Sequence, residues 1–242
     1  MSRSKGKVIV IGNRKGGSGK TTTAKNLAYV LSKLGRQVLL IDGDPQRNAT
    51  EGLSGKEYKM SILGLLKHED VHRCIYHTRF HGLDLIPGND YLANEKIEDH
   101  IFVKQLSQLK ERYDYILIDT SPYFNKLIAE IMRAHDLVII PTEINDDSIR
   151  GTITTINEIT QLFPQAKFRI LYTKVDRSKE TQKGLQELQQ QLAPVSFQRV
   201  IRYCYLPVKR ARKYRSPLSY RYPHAKAAMD YAAIAKELLE VI

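Results

Sequence analysis

The stretch KVIVIGNRKGGSGKTTTAKNLAYVLSKLG, residues 7–35, carries three patterns in succession. Residues 7–13 form a near-continuous Val/Ile run, which suits a strand buried on both faces. Residues 21–34 place apolar side chains at helical spacing and stop at Gly35. Between them lie Gly16, Gly17, Ser18 and Gly19, followed by Lys20, Thr21 and Thr22. Glycines where a strand hands over to a helix let backbone N–H groups and a helix N-terminus converge on anionic oxygens. Lys20 would reach the β- and γ-phosphates of a nucleotide, and the Thr21 hydroxyl would ligate Mg²⁺. These seven residues are the candidate phosphate cradle. A second lysine, Lys15, stands five positions before Lys20, and the local pattern gives it no role.

Working outward, strand-like runs recur at residues 37–42, 83–88, 113–119, 136–141 and 168–174. Helical patterns lie between and after them. Residues 146–163 open on Asp-Asp-Ser and stop before Pro164; residues 179–192 are rich in Glu, Gln and Leu; residues 224–242 carry Ala and Leu on one face. Alternating strands and helices predict an α/β fold, a doubly wound, mostly parallel sheet flanked by helices. With no linker, repeat or low-complexity tract, residues 1–242 are expected to form a single domain. Hydrophobic residues are 42% of the chain, enough for a sizeable core.

Two of the strands end in acids. Asp42 and Asp44 follow the second run, and Asp119 ends the run at 113–119. Carboxylates at the C-terminal end of a parallel strand face the ligand crevice, so all three join the candidate site.

The loop departs from the common G-x-x-x-x-G-K-[ST] pattern, because Arg14 stands where its first glycine would be. K-G-G-x-G-K-T-T instead resembles the deviant phosphate loop of the ParA/MinD family of ATPases, a branch of the P-loop NTPases. The resemblance extends to Asp42-Gly43-Asp44-Pro45-Gln46-Arg47-Asn48-Ala49-Thr50 and to the closing YRYPHAKAAMDYAAIAKEL. It is greatest with the short Soj/ParA-type DNA partition ATPases. It implies ATP and Mg²⁺ as cofactors and an ATP-bridged homodimer. Lys15 would reach across that dimer to the partner's phosphates, a cation supplied in trans. Asp44 would orient the attacking water, Asp42 would lie near the metal, and Asp119 would hold it as the Walker B acid. Lys15, Lys20 and Asp44 are thus the expected catalytic set, and Thr21, Asp42 and Asp119 the expected metal set. The family usually continues D-x-P-P after that acid; here Ser121 replaces the first proline. Thr173-Lys174-Val175-Asp176 would sit near the base, and Pro207 would wall the adenine. No arginine finger is identifiable in cis, so a weak basal ATPase is expected, stimulated by a partner and by DNA.

The formal charge is +12, from 38 Lys plus Arg against 26 Asp plus Glu. Much of the excess is local. Residues 188–229 contain no Asp or Glu, and nine Lys or Arg fall within 199–226. Tyrosines interleave with them. This basic part of the domain predicts sequence-independent, salt-sensitive binding to double-stranded DNA. Lys209, Arg212, Lys213, Arg215 and Arg221 are the candidate contacts, with Lys209, Arg212 and Lys213 on one helical face. The resemblance agrees, and it adds a ParB-like centromere-binding partner that triggers hydrolysis and release. No helix-turn-helix domain is expected ahead of the first strand.

A MinD-like membrane-associated positioning ATPase is the alternative, but the tail AIAKELLEVI is acidic and lacks aromatics, so no membrane partner is expected. A bacterial tyrosine kinase would carry its tyrosine cluster at the extreme C-terminus, free of arginines. An iron–sulfur electron carrier would need paired cysteines, and Cys74 and Cys204 form no such motif. MSRSKGKVIVIGN does not read as a signal peptide, and no apolar run approaches the roughly 20 residues that span a bilayer. A cytoplasmic, nucleoid-associated protein is expected.

Overall fold

The computed structural model describes residues 5–123 and 125–242; the first four residues of the stretch read for a signal peptide lie outside them. Seven strands build one sheet: β1 (Lys7–Ile11), β2 (Val38–Gly43), β3 (Tyr76–His77), β4 (Leu83–Ile86), β5 (Tyr115–Thr120), β6 (Leu137–Glu143) and β7 (Phe168–Thr173). Their spatial order is β3-β4-β2-β5-β1-β6-β7, and every pairing is parallel except β3 with β4. The six expected strands are present. The seventh, β3, is two residues long and leaves no periodicity to read.

The helices are α1 (Lys20–Lys33), α2 (Asn48–Leu53), α3 (Ile62–Leu66), α4 (Ile101–Leu109), α5 (Lys126–Arg133), α6 (Asp146–Leu162), α7 (Lys179–Leu192), α8 (Tyr205–Lys213), α9 (Leu218–Arg221) and α10 (Lys226–Val241). Strand side chains alternate between the two faces of the sheet. Ile9, Ile11, Leu40 and Leu117 pack with Leu27 and Leu31 of α1 and Tyr231, Ile234 and Leu238 of α10. Val8, Val10, Leu39 and Ile118 pack on the other face with Phe102 and Leu106 of α4 and Ile131 of α5. Both faces are covered, which is why the strand sequences are continuous rather than alternating. Each fully buried Leu or Ile contributes about 1.5–3 kcal/mol.

From β1 the chain moves outward to β2 and β4, then returns through β5 to β6 and β7. This reversal opens a crevice at the C-terminal ends of the central strands, where such sheets bind ligands. The loop after β1 and the acids ending β2 and β5 all lie there. Among the described residues no helix is long and apolar enough to cross a membrane.

Candidate functional site

The loop between β1 and α1 needs its glycines for two different reasons. Gly17 and Gly19 have φ of 78° and 99°, the left-handed region that other residues rarely adopt. Gly16 does not, yet a Cβ there would meet no protein atom within 4 Å. Its bare backbone faces open space that a ligand can enter.

The loop is pinned from behind by side chains far away in sequence. Asn13 Nδ2 donates to the Pro141 carbonyl (2.8 Å) and the Thr152 hydroxyl (3.1 Å), while its Oδ1 accepts from Lys15 N–H (2.9 Å). Thr173 Oγ1 donates to the Ser18 carbonyl at 3.0 Å. Lys174 Nζ donates to the Gly17 carbonyl at 2.8 Å and pairs with Glu143 at 2.6 Å. None of Asn13, Thr152 or Glu143 was singled out by sequence. Asn13, between a strand and a glycine cluster, offered the one available signal.

The two lysines part company. Lys20 is buried and folds across the loop, donating from Nζ to the Asn13 (2.9 Å) and Lys15 (3.2 Å) carbonyls. Burial lowers its pKa, against the pull of Asp119 and Asp44. Lys15 points the other way: its Nζ lies 3.7 Å from Asp147 of α6, with the side chain 41% exposed.

Asp42 and Asp119 sit side by side on β2 and β5, both fully buried. Asp42 Oδ2 accepts from Thr50 N–H and from its hydroxyl, each at 2.7 Å. Neither oxygen of Asp119 has a hydrogen-bond partner. The Thr21 hydroxyl is near enough to temper its shift but does not reach good hydrogen-bond geometry. Burial pushes both acids up, and for Asp119 the Asp42 charge adds to it. A buried, unpartnered carboxylate beside a second one calls for a proton or a cation. With the Thr21 hydroxyl close by, the donor set is all oxygen, which suits Mg²⁺. Among the described residues no cluster of three or more His, Cys, Asp or Glu forms a protein-only metal cage, so remaining ligands would come from phosphate and water. Asp44, largely buried, has its Oδ1 turned to Gln46 N–H at 2.9 Å and stands on the cleft wall.

Two pockets flank the loop. One is lined by Gly16, Gly17 and Gly19–Thr22 of the loop and by Asp44, Gln46 and Asn48, with Lys25, Pro122 and Arg212 completing it. The second lies against Gly19 and Thr22 and is closed by Thr173, Lys174, Ile201, Tyr203 and Tyr231. Pro207, expected on that wall, sits in the first turn of α8 outside the lining residues, which there are Ile201–Tyr205 and Val208. Asp176 faces neither pocket; its Oδ1 accepts from Ser178 N–H and Oγ at the start of α7.

The five basic candidates are all exposed. Lys209 lies over the Tyr205 ring (5.7 Å) and Arg221 over the Tyr214 ring (4.3 Å). The Arg215 guanidinium fills the space where Gly55 lacks a side chain. Arg212 separates from Lys209 and Lys213: it turns into the first pocket, with Nη2 3.3 Å from Asn48 Oδ1.

A family model described as an AAA domain matches residues 6–171. The sporulation initiation inhibitor protein Soj of Bacillus subtilis (strain 168) is 36% identical over 164 residues, which is 64% of this chain and 65% of Soj. An ATP complex of McdA from Cyanothece superposes with a TM-score of 0.85 at 25% identity, covering 98% of both chains. A plasmid partition protein from Borrelia burgdorferi superposes with a TM-score of 0.79 at 26% identity, covering 99% of this chain and 100% of that one.

Proposed function

The chain belongs to the ParA/MinD family of ATPases, and on that premise we propose that it is a partition-type DNA switch driven by ATP. In this reading residues 1–242 act as one domain, with the basic segment 199–226 inside it. The base occupies the pocket beside Thr173, and the phosphates lie along Gly16–Thr22 under the α1 N-terminus. Thr21 and Asp119 would hold Mg²⁺, which would neutralise charge on the phosphates. Lys20 bridges loop and phosphate, Asp42 braces the metal side through Thr50, and Asp44 holds the attacking water. Lys15, turned out of its own cleft, is left to meet the nucleotide of a second copy. Hydrolysis, homodimer formation, a ParB-like partner and a cytoplasmic, nucleoid-bound location complete the proposal.

The observation that carries the DNA reading is the position of α8. One edge of it lines the nucleotide pockets while Lys209 and Lys213 project outward. A membrane reading has less support, because the apolar face of α10 is spent on α1 through Ala228, Tyr231, Ile234 and Leu238.

The test is binding to non-specific duplex DNA with ATP, with ADP and without nucleotide, at two salt concentrations, for wild type and Lys15→Ala. Binding that requires ATP, weakens with salt and vanishes in Lys15→Ala is the expected result. Binding indifferent to nucleotide, or none, overturns the proposal.

A further inference from the structure

Helix α8 presents Tyr205, Val208 and Arg212 at i, i+3 and i+7, one face of the helix. Tyr205 and Val208 line the base-side pocket and Arg212 the phosphate-side pocket. Seven residues of helix span about 10 Å, so α8 runs alongside the nucleotide site from one end to the other. Ala211 fixes this rotation, since it is 2% exposed and packs into the core.

Arg212 meets a second cation there. Lys25 of α1 lies one turn beyond Thr21 on the same helical face and is 7% exposed. A Cβ on Gly52 of α2 would fall 2.0 Å from its Nζ, so the glycine makes room for the amine. Burial lowers the Lys25 pKa, and Arg212 adds to that shift against the pull of Asp119 and Asp42. Neither cation is ion-paired among the described residues. Two like charges brought from separate elements to one cleft, one of them nearly buried, are unfavourable unless an anion joins them. They share that pocket with Asp44, Gln46 and Asn48, and none of these five lines the base-side pocket, so the far end of a polyphosphate would lie beside them.

We propose that Lys25 and Arg212 form a cis anion seat for the terminal phosphate of a nucleoside triphosphate, so that the basic helix α8 reads nucleotide state within its own subunit. This rests on the nucleotide reading above and adds to it a direct phosphate contact. Arg212 then belongs to the phosphate side of α8, and Lys209 and Lys213 to its DNA side. The cis arginine that the sequence did not offer is supplied by a helix that folds back onto the cleft.

The experiment is calorimetric titration of the full chain, without DNA, by Mg²⁺–ATPγS and by Mg²⁺–ADP, for wild type, Arg212→Ala, Arg212→Lys and Lys25→Met. Loss of a charge-assisted contact predicts about tenfold or weaker ATPγS binding in Arg212→Ala. ADP affinity should move less than about threefold, with partial recovery in Arg212→Lys. Lys25→Met should show the same selective loss. Equal ATPγS affinity in wild type and Arg212→Ala, or equal losses for both nucleotides, overturns the seat while leaving the nucleotide reading intact. A wild-type chain that binds neither nucleotide sinks both.

Discussion

Replacing Asn26 by alanine should loosen the whole C-terminal basic segment. Asn26 lies in α1 and is 1% exposed. Its Oδ1 accepts from Ser219 N–H at 2.8 Å and from the Ser219 hydroxyl at 3.0 Å, joining α1 to α9 across 193 residues of chain. Its Nδ2 donates to the Thr22 carbonyl at 2.8 Å. Asn26→Ala strands a buried backbone N–H, about 1–3 kcal/mol, and removes the hydroxyl's bond, about 1 kcal/mol more. The expected loss is about 2–4 kcal/mol. Ser219→Ala keeps the backbone bond and should cost about 1 kcal/mol. Urea unfolding of both variants and of the double mutant separates these contributions, and an unchanged slope confirms that stability alone has moved. In a thermal melt the shift is roughly 2–4 °C per kcal/mol for a chain of this size. If Asn26→Ala loses no more than Ser219→Ala, the stranded N–H argument is wrong.

Four further outcomes follow from the geometry. Asp119→Asn removes a buried, unpartnered carboxyl that burial and the Asp42 charge hold well above its usual pKa; it should stabilise the nucleotide-free protein by about 1 kcal/mol or more in urea, while abolishing the Mg²⁺ dependence of ATP binding. Gly6→Ala would set a Cβ 2.0 Å from the Tyr113 carbonyl oxygen; about 3 kcal/mol of destabilisation is expected, and an unaltered unfolding midpoint would contradict it. Asp147→Ala releases Lys15 from an exposed pair and should leave the unfolding midpoint unchanged, whereas Lys15→Ala should abolish the ATP-dependent dimer in sedimentation without unfolding the monomer. Lys209→Ala and Lys213→Ala should each reduce the slope of log DNA affinity against log salt by about 1, which direct titrations at several salt concentrations would check.

The sheet was legible because its strands are buried on both faces and therefore written in uninterrupted Val, Ile and Leu. Short elements were not. α2 is six residues containing a glycine, and α4 starts after His100, a left-handed residue with no capping hydrogen bond. The glycine loop and the three acids could be placed at one end of the sheet, since each is a local pattern at or next to a strand end. What holds the loop could not, because Thr152 reaches Asn13 and Thr173 reaches Ser18 only through tertiary packing. The direction of Arg212 was hidden for a related reason. Spacing groups Lys209, Arg212 and Lys213 on one side of a helix, but burial of Ala211 decides which of them turns inward. Pro207, chosen by type, lies in the first turn of α8 outside that pocket's lining, which there is Ile201–Tyr205 and Val208.

The position of β1 in the interior of the sheet also governs how the protein is made. Among the described residues its partners are β5 and β6, with Lys7 beside Tyr115 and Ile9 beside Leu137. Such distant pairing slows folding, because long loops must close before any contact rewards them. During translation at roughly 5–20 residues per second, the phosphate loop leaves the ribosome many seconds before the strands that flank it. It cannot be pinned until Pro141, Thr152 and Thr173 have followed. The loop is thus synthesised well before the residues that complete it, and a nascent chain cannot hold nucleotide until most of the sheet is in place.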